Sequence, residues 1–180
     1  MIKYILHWWL WLQIEDKNKM FYIEFLHWLN NSDKILFIAF AKNDQKEQLS
    51  LFNDSLSEYW FLATNVILAS ENIDELLEQI KNSKYIYIAW WDYLKLYKKM
   101  SFIKDNKEIF EWKIVAWSSA WTNLLSNISY SNDTGKNQQW YGFLDLYTVC
   151  HYKDELKDVI FNKNLEEVIL KEKEYIVIED

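Results

Sequence analysis

Lys113-Ile-Val-Ala-Trp-Ser-Ser-Ala-Trp-Thr-Asn123 is the stretch on which the fold turns. Ile114–Ala116 is a short apolar run of the kind that forms a strand buried on both faces. Apolar residues resume at Leu124 and Leu125, so a helix is expected from Ser119 to about Ile128. Between strand and helix stand Ser118, Ser119 and Ala120, small residues that let a backbone turn tightly. Two tryptophans, Trp117 and Trp121, flank that turn, where their bulk is out of place.

Outward from this stretch the same alternation repeats. Ile2–Leu6, Ile35–Ala39, Val66–Ala69 and Tyr85–Ala89 are further apolar, β-branched runs. Helical spacing lies between them. Phe21, Phe25 and Leu29 recur every fourth residue; Leu49, Phe52, Leu56 and Tyr59 follow the same period; Ile73, Leu76, Leu77 and Ile80 make a third stripe. Asn72 followed by Asp74 and Glu75 reads as an N-cap with early acids. Leu94, Leu96 and Tyr97 suggest a short helix. The pattern predicts an α/β fold in three layers, with a mostly parallel, doubly wound sheet. Downstream, Ser129–Gln139 is polar and contains a glycine, so a loop is expected there. Then come an extended segment over Phe143–His151, a short helix near Asp154–Phe161 and strands at Glu167–Leu170 and Tyr175–Ile178. No linker or repeat breaks the pattern, so residues 1–180 read as one domain.

Composition narrows the function. The formal net charge is -7, and every one of the 20 basic residues is Lys. A nucleic-acid partner is therefore not expected. One cysteine, Cys150, excludes an internal disulfide. No apolar run reaches the ~18 residues of a membrane span. Met1–Leu12 is apolar but lacks a small-residue cleavage site, so a cytoplasmic protein is expected. No spacing of His, Cys or carboxylates suits a metal, and no cofactor fingerprint is present.

Glycine is scarce. Average usage predicts roughly 13 Gly and 9 Pro; the chain has 2 Gly, no Pro and 11 Trp. Many of these tryptophans sit where strands end: Trp8-Trp9 after the first run, Trp90-Trp91 after the fourth, Trp112 before the fifth and Trp117 at its end. Those are glycine positions in a doubly wound sheet. Read as glycine, the segments become HGGLGL, IAGGDY and VAGSSAGTN, which are coherent turn chemistry. The expectation is that these positions are UGA codons meaning glycine in the source organism. The absence of Arg and Pro, with abundant Lys, Asn and Ile, fits an AT-rich genome. A few of the set, such as Trp60, are compatible with real tryptophan. The competing reading is a tryptophan-rich binding module.

Under that reading the opening stretch becomes G-S-S-A-G, a G-x-S-x-G elbow between a buried strand and a helix. Such a turn lifts the Ser119 hydroxyl clear of the sheet and points the Ala120 N–H at a reacting carbonyl oxygen. Three histidines could supply a base. His7 and His27 read as structural, whereas His151 closes the extended segment, at a strand's end. For the acid, Glu172 lies between two late strands, with Glu174, Asp154 and Glu155 as rivals. The order Ser, His, acid differs from that of α/β-hydrolases.

With these residues in view, the chain resembles the peptidase E family of serine peptidases, which includes the cyanophycinases. Ile5-Leu-His-Trp-Trp9 is similar to the family's first strand and glycine turn, and Ile88-Ala-Trp-Trp-Asp92 to its Gly-Gly-Asn/Asp turn. Trp117-Ser-Ser-Ala-Trp-Thr-Asn123 resembles Gly-x-Ser-Ala-Gly-x-Asn. Trp140-Tyr-Gly-Phe-Leu144, ending at His151-Tyr152, resembles the stretch before the catalytic histidine. The resemblance implies a fold like that of class I glutamine amidotransferases, with Ser in place of their Cys. It implies Ser119 as nucleophile, His151 as base and a late glutamate as third member. Leu170-Lys-Glu-Lys-Glu-Tyr-Ile176 is a looser match to the family's Leu-Pro-Glu-Gly-x-x-Ile and makes that glutamate Glu172. It further implies the Trp91 N–H as second oxyanion donor, and Asp92 and Asn123 on the substrate side. The expected activity is hydrolysis of small peptides, dipeptides among them, without metal or cofactor, by a monomer or homodimer. The family's aspartyl preference is not carried over, because the chain has no Arg for the substrate carboxylate. The alternative is an inactive or amidotransferase-like relative that binds a small metabolite or a protein partner.

Overall fold

In a computed structural model the described residues are 1–7, 16–30, 32–40, 43–58, 65–89, 93–118, 121–131, 135–150, 164–171 and 174–180. A six-stranded sheet is formed by β1 (Lys3–His7), β2 (Ile35–Ile38), β3 (Val66–Leu68), β4 (Tyr85–Ile88), β5 (Ile114–Ser118) and β10 (Tyr175–Glu179), in the order β10-β1-β5-β4-β2-β3. All neighbours are parallel except β10, which runs antiparallel to β1. The expected apolar runs form these strands because each is covered on both faces. β1, β2, β4 and β5 are buried almost throughout.

Helices cover the two faces. On one, α1 (Asp16–Phe25) and α2 (Gln45–Glu58) place Phe21, Tyr22, Phe25, Phe52 and Leu56 against Ile5, Phe37, Tyr87 and Ala116. On the other, α3 (Ile73–Lys81) and α5 (Trp121–Leu125) bury Leu76, Ile80, Leu124 and Leu125 against Tyr4, Ile88 and Val115. Each side chain so buried contributes about 1.5–3 kcal/mol. Alternation along the strands assigns the faces: Ile5 and Ala116 point to the first, Leu6 and Trp117 to the second. α3 begins as its sequence predicts, with the Asn72 Oδ1 accepting from the Asp74 and Glu75 amides at 3.0 and 3.1 Å. α4 (Tyr93–Lys99) follows β4, and two 3-10 turns over Ser101–Asp105 and Lys107–Phe110 lead to β5. The architecture is thus the three-layer, mostly parallel α/β fold expected.

Two expectations are corrected. The helix that opens at Trp121 ends at Leu125 instead of near Ile128, because the Ser126 Oγ donates to the Asn123 carbonyl at 2.6 Å and the chain leaves as a strand. The polar segment expected as a loop is mostly a hairpin, β6 (Ser126–Ser131) paired antiparallel with β7 (Lys136–Gln139). Gly135, at φ +63°, supplies the left-handed residue at its turn. With β8 (Leu144–Cys150) and β9 (Glu166–Leu170) this hairpin makes a second sheet, ordered β7-β6-β8-β9. Leu144, Leu146, Val168 and Leu170 from this sheet join the same apolar cluster as Tyr4 and Val115. The short helix expected near Asp154–Phe161 lies outside the described residues.

Four tryptophans have described side chains, and they divide evenly. Trp112 has φ +62° and is 77% exposed; it is the one non-glycine residue at positive φ among the described residues. Trp28 is likewise exposed. Trp140 is packed, its Nε1–H donating to the Ser129 Oγ at 2.6 Å. Trp117 departs from the expectation of a ring out of place beside a turn. It is a strand residue, fully buried, edge-on to Phe110 at 6.2 Å. Strand alternation turns it into the second face, where the layer is deep enough for an indole.

Candidate active site

β1 is followed by α1 on one face of the sheet, and its neighbour β5 by α5 on the other. Connections that leave adjacent parallel strands towards opposite faces open a crevice at the strands' carboxyl ends, where α/β folds bind ligands. β1 and β5 end there in register, His7 opposite Ser118. β10 adds Tyr175, paired with His7 on its other side. In the second sheet β8 and β9 also end together, with Cys150 opposite Leu170.

Of the residues singled out from the sequence, Ser119, Ala120, His151, Glu172, Trp91 and Asp92 lie outside the described residues. Their flanks are described. Residues 119–120 separate β5 from α5, and residues 90–92 separate β4 from α4. Residue 151 follows β8, and residue 172 lies in the link from β9 to β10. That link is short: the Glu174 carboxylate accepts from the Lys171 amide at 2.9 Å, and the Glu174 amide donates to the Lys171 carbonyl at 3.2 Å. The rival acid Glu174 is therefore engaged in its own turn.

Asn123 is described, half-buried on α5. Its Oδ1 accepts from the Thr148 hydroxyl at 2.8 Å, and the Ser126 Oγ lies 3.1 Å from the same hydroxyl. Thr148 is fully buried on β8, three positions before residue 151. This bond ties the helix after β5 to the strand that precedes His151. Thr148→Val keeps the shape but removes the donor, and a lost buried hydrogen bond costs about 1–3 kcal/mol. Urea unfolding of the variant should show that loss; an unchanged midpoint would mean the bond contributes nothing.

Ser118 is no rival nucleophile in this arrangement. It is buried, and its side chain hydrogen-bonds the Tyr87 hydroxyl, whose own pKa burial pushes up. His7 is fully buried beside Phe21, ring centres 4.6 Å apart, and burial pushes its pKa down to about 3. His27 is exposed just beyond α1, against Trp28. Sequence reading missed Thr148 and Ser118 because a buried Thr on a strand and a Ser before a turn carry no signal of their own. A separate cleft of about 420 Å³ between Asn127, Gln139, Trp140 and Leu165 sits at the start of β8. That is the opposite end of the strand from Cys150, about 20 Å away. Among the described residues no group of three or more His, Cys, Asp or Glu could hold a metal. No helix among them is long and apolar enough to cross a membrane.

By sequence the chain matches no family model and no curated protein. By structure it is similar to a peptidase from an acI-B1 Actinobacterium, with a TM-score of 0.70 at 14% identity over 99% of this chain and 84% of that one. It is also similar to a candidate peptidase E protein from Listeria monocytogenes EGD-e, with a TM-score of 0.66 at 18% identity over 99% and 94% of the two chains. Identities this low carry the fold, and the α/β architecture is common to all three.

Proposed function

We propose that the chain is a serine hydrolase of small peptides, with Ser119 as nucleophile, His151 as general base and Glu172 as the acid that orients it. The observation that carries this reading is that only residues 119–120 separate β5 from α5, at the carboxyl end of β5 and beside the crevice between β1 and β5. Register supports the partners. Ser118, His7 and Tyr175 align across three strands, and Cys150 aligns with Leu170. In sequence, position 119 directly follows Ser118 in the first sheet, and positions 151 and 172 are one and two residues past Cys150 and Leu170 in the second. Both peptidases of similar fold agree with a hydrolytic reading.

In this mechanism the Ser119 Oγ attacks the scissile carbonyl carbon while its proton passes to His151. The oxyanion is held by the N–H groups of Ala120 and residue 91. Collapse returns the proton to the leaving amine, and water repeats the cycle to free the acid. Asp92 and Asn123 are the proposed substrate-side residues, Asn123 also fixing α5 through Thr148. A fluorophosphonate probe followed by peptide mapping tests the assignment. Label on the peptide containing Ser119 supports it; label elsewhere, or none, removes it in favour of the non-catalytic alternative.

The native residue at the turn tryptophans is proposed to be glycine, with Trp112 the position the backbone favours most. A left-handed conformation costs a side-chain-bearing residue roughly 1–2 kcal/mol, and this exposed ring recovers little by packing. Trp117 is buried and Trp140 half-buried and hydrogen-bonded, and neither gives such support. Trp112→Gly should raise stability by about 1 kcal/mol, read as a higher unfolding midpoint. A fall in the midpoint would contradict glycine at this turn, as would a TGG codon in the gene.

A further inference from the structure

β3 forms one edge of the six-stranded sheet, and β2 is its one strand neighbour among the described residues. Open edges are normally guarded by a lysine, a proline or a bulge. From Tyr59 to Ser70 the sequence has no charged residue, no Pro and no Gly. Alternation fixes which main-chain groups of this edge face outwards. The Ala69 amide donates to the Phe37 carbonyl of β2 at 2.9 Å, so the Leu68 carbonyl and the Ser70 amide point the other way. A single side chain takes both. The Gln79 Nε2 donates to the Leu68 carbonyl at 3.1 Å, and the Gln79 Oε1 accepts from the Ser70 amide at 2.7 Å. Bonds to the residues on either side of Ala69 are those a further parallel strand would make there. Ser70 is also gripped by the start of α3: its hydroxyl donates to the Glu75 carboxylate at 2.6 Å and accepts from the Asn72 amide at 3.1 Å. Water could serve the same main-chain groups at an edge, so two such bonds add little to stability. What they do that water does not is hold the places a further strand would need.

We propose that Gln79 closes the β3 edge against a second copy of this chain. Without it, β3 of one molecule pairs with β3 of another about a two-fold axis. The uncharged run makes that pairing self-complementary, since no like charges meet across it. The crevice between β1 and β5 is not involved, because β4 and β2 lie between it and this edge.

The test uses the full chain. Gln79→Leu keeps the bulk of the side chain and removes both bonds. In hydrogen exchange on dilute protein, its Ser70 amide should exchange at least tenfold faster than in the wild type. In sedimentation equilibrium it should self-associate at least tenfold more tightly, and the outward-facing Leu68 amide should gain protection as concentration rises. Adding Ile67→Lys should return association to the wild-type level, since the paired edges would then carry like charges. Gln79→Glu, which sets a charge on the edge itself, should associate no more than the wild type. A folded Gln79→Leu chain with wild-type association would overturn the proposal. So would association that survives Ile67→Lys, because another surface would then be responsible. A Gln79→Leu chain that fails to fold would overturn it too, since the two bonds would then be holding the fold.

Discussion

Under the proposed function, Ser119→Ala should take no fluorophosphonate and should lose peptide hydrolysis by at least roughly a thousandfold, the scale on which a triad enzyme falls when its nucleophile is removed. The loss is chemical. Without Oγ no acyl-enzyme forms, and what is left is the contribution of binding and of the oxyanion donors. The fold should survive, because the change removes one hydroxyl in the link between β5 and α5. Ser118→Ala is the informative control. Its hydroxyl is bonded to Tyr87 and buried on the α1 face, so that variant should lose about 1–3 kcal/mol of stability and keep its label. Label that persists in Ser119→Ala and disappears in Ser118→Ala would exchange the two roles.

Gly142→Ala has the largest expected effect on stability. Gly142 has φ +68°, and a methyl group there would land on the Asn127 Oδ1. That oxygen belongs to an amide whose Nδ2 donates to the Asp145 Oδ1 at 2.9 Å, so the side chain cannot swing away without losing a bond. Left-handed strain of roughly 1–2 kcal/mol and a hydrogen bond of about 1 kcal/mol add to about 2–3 kcal/mol. For a chain of this size that lowers the melting temperature by roughly 5–10 °C. Gly135→Ala separates the two causes. It has the same backbone strain, at φ +63°, with only the Tyr130 hydroxyl at 3.8 Å, so it should lose about half as much. Equal losses at both sites would mean that Asn127 yields freely.

The parallel strands were legible because burial on both faces leaves no polar alternation to confuse the reading: Ile35–Ile38 and Tyr85–Ile88 lie where their apolar runs lie. The α3 start was legible because a cap is local chemistry. The β6–β7 hairpin was not. Ser126–Ser131 and Lys136–Gln139 are held by main-chain pairing and a glycine turn, and their side chains are polar because much of that sheet surface is exposed. Leu124, Leu125 and Ile128 imitate a helical stripe, although the first two lie on α5 and the third on β6. At the candidate site, Ser119 is proposed from sequence alone, as a small residue between a buried strand and a helix. The burial of His7 against Phe21 and the Asn123–Thr148 bond depend on which elements are neighbours, and no local pattern encodes that.

The position of β1 has a consequence for how the chain acquires its shape. It is an early strand by synthesis and an interior one by place, lying between residues 114–118 and residues 175–179. Neither neighbour exists while the first half of the chain is being made. A ribosome-bound chain can assemble β2, β3 and β4 with α2 and α3, but β1 must wait with its apolar residues uncovered. Contacts this distant in sequence are slow to close, and exposed strand edges invite association while they wait. Cutting the chain before residue 175 should therefore yield a product that pulls down chaperones and precipitates, with the crevice at His7 and Ser118 never completed.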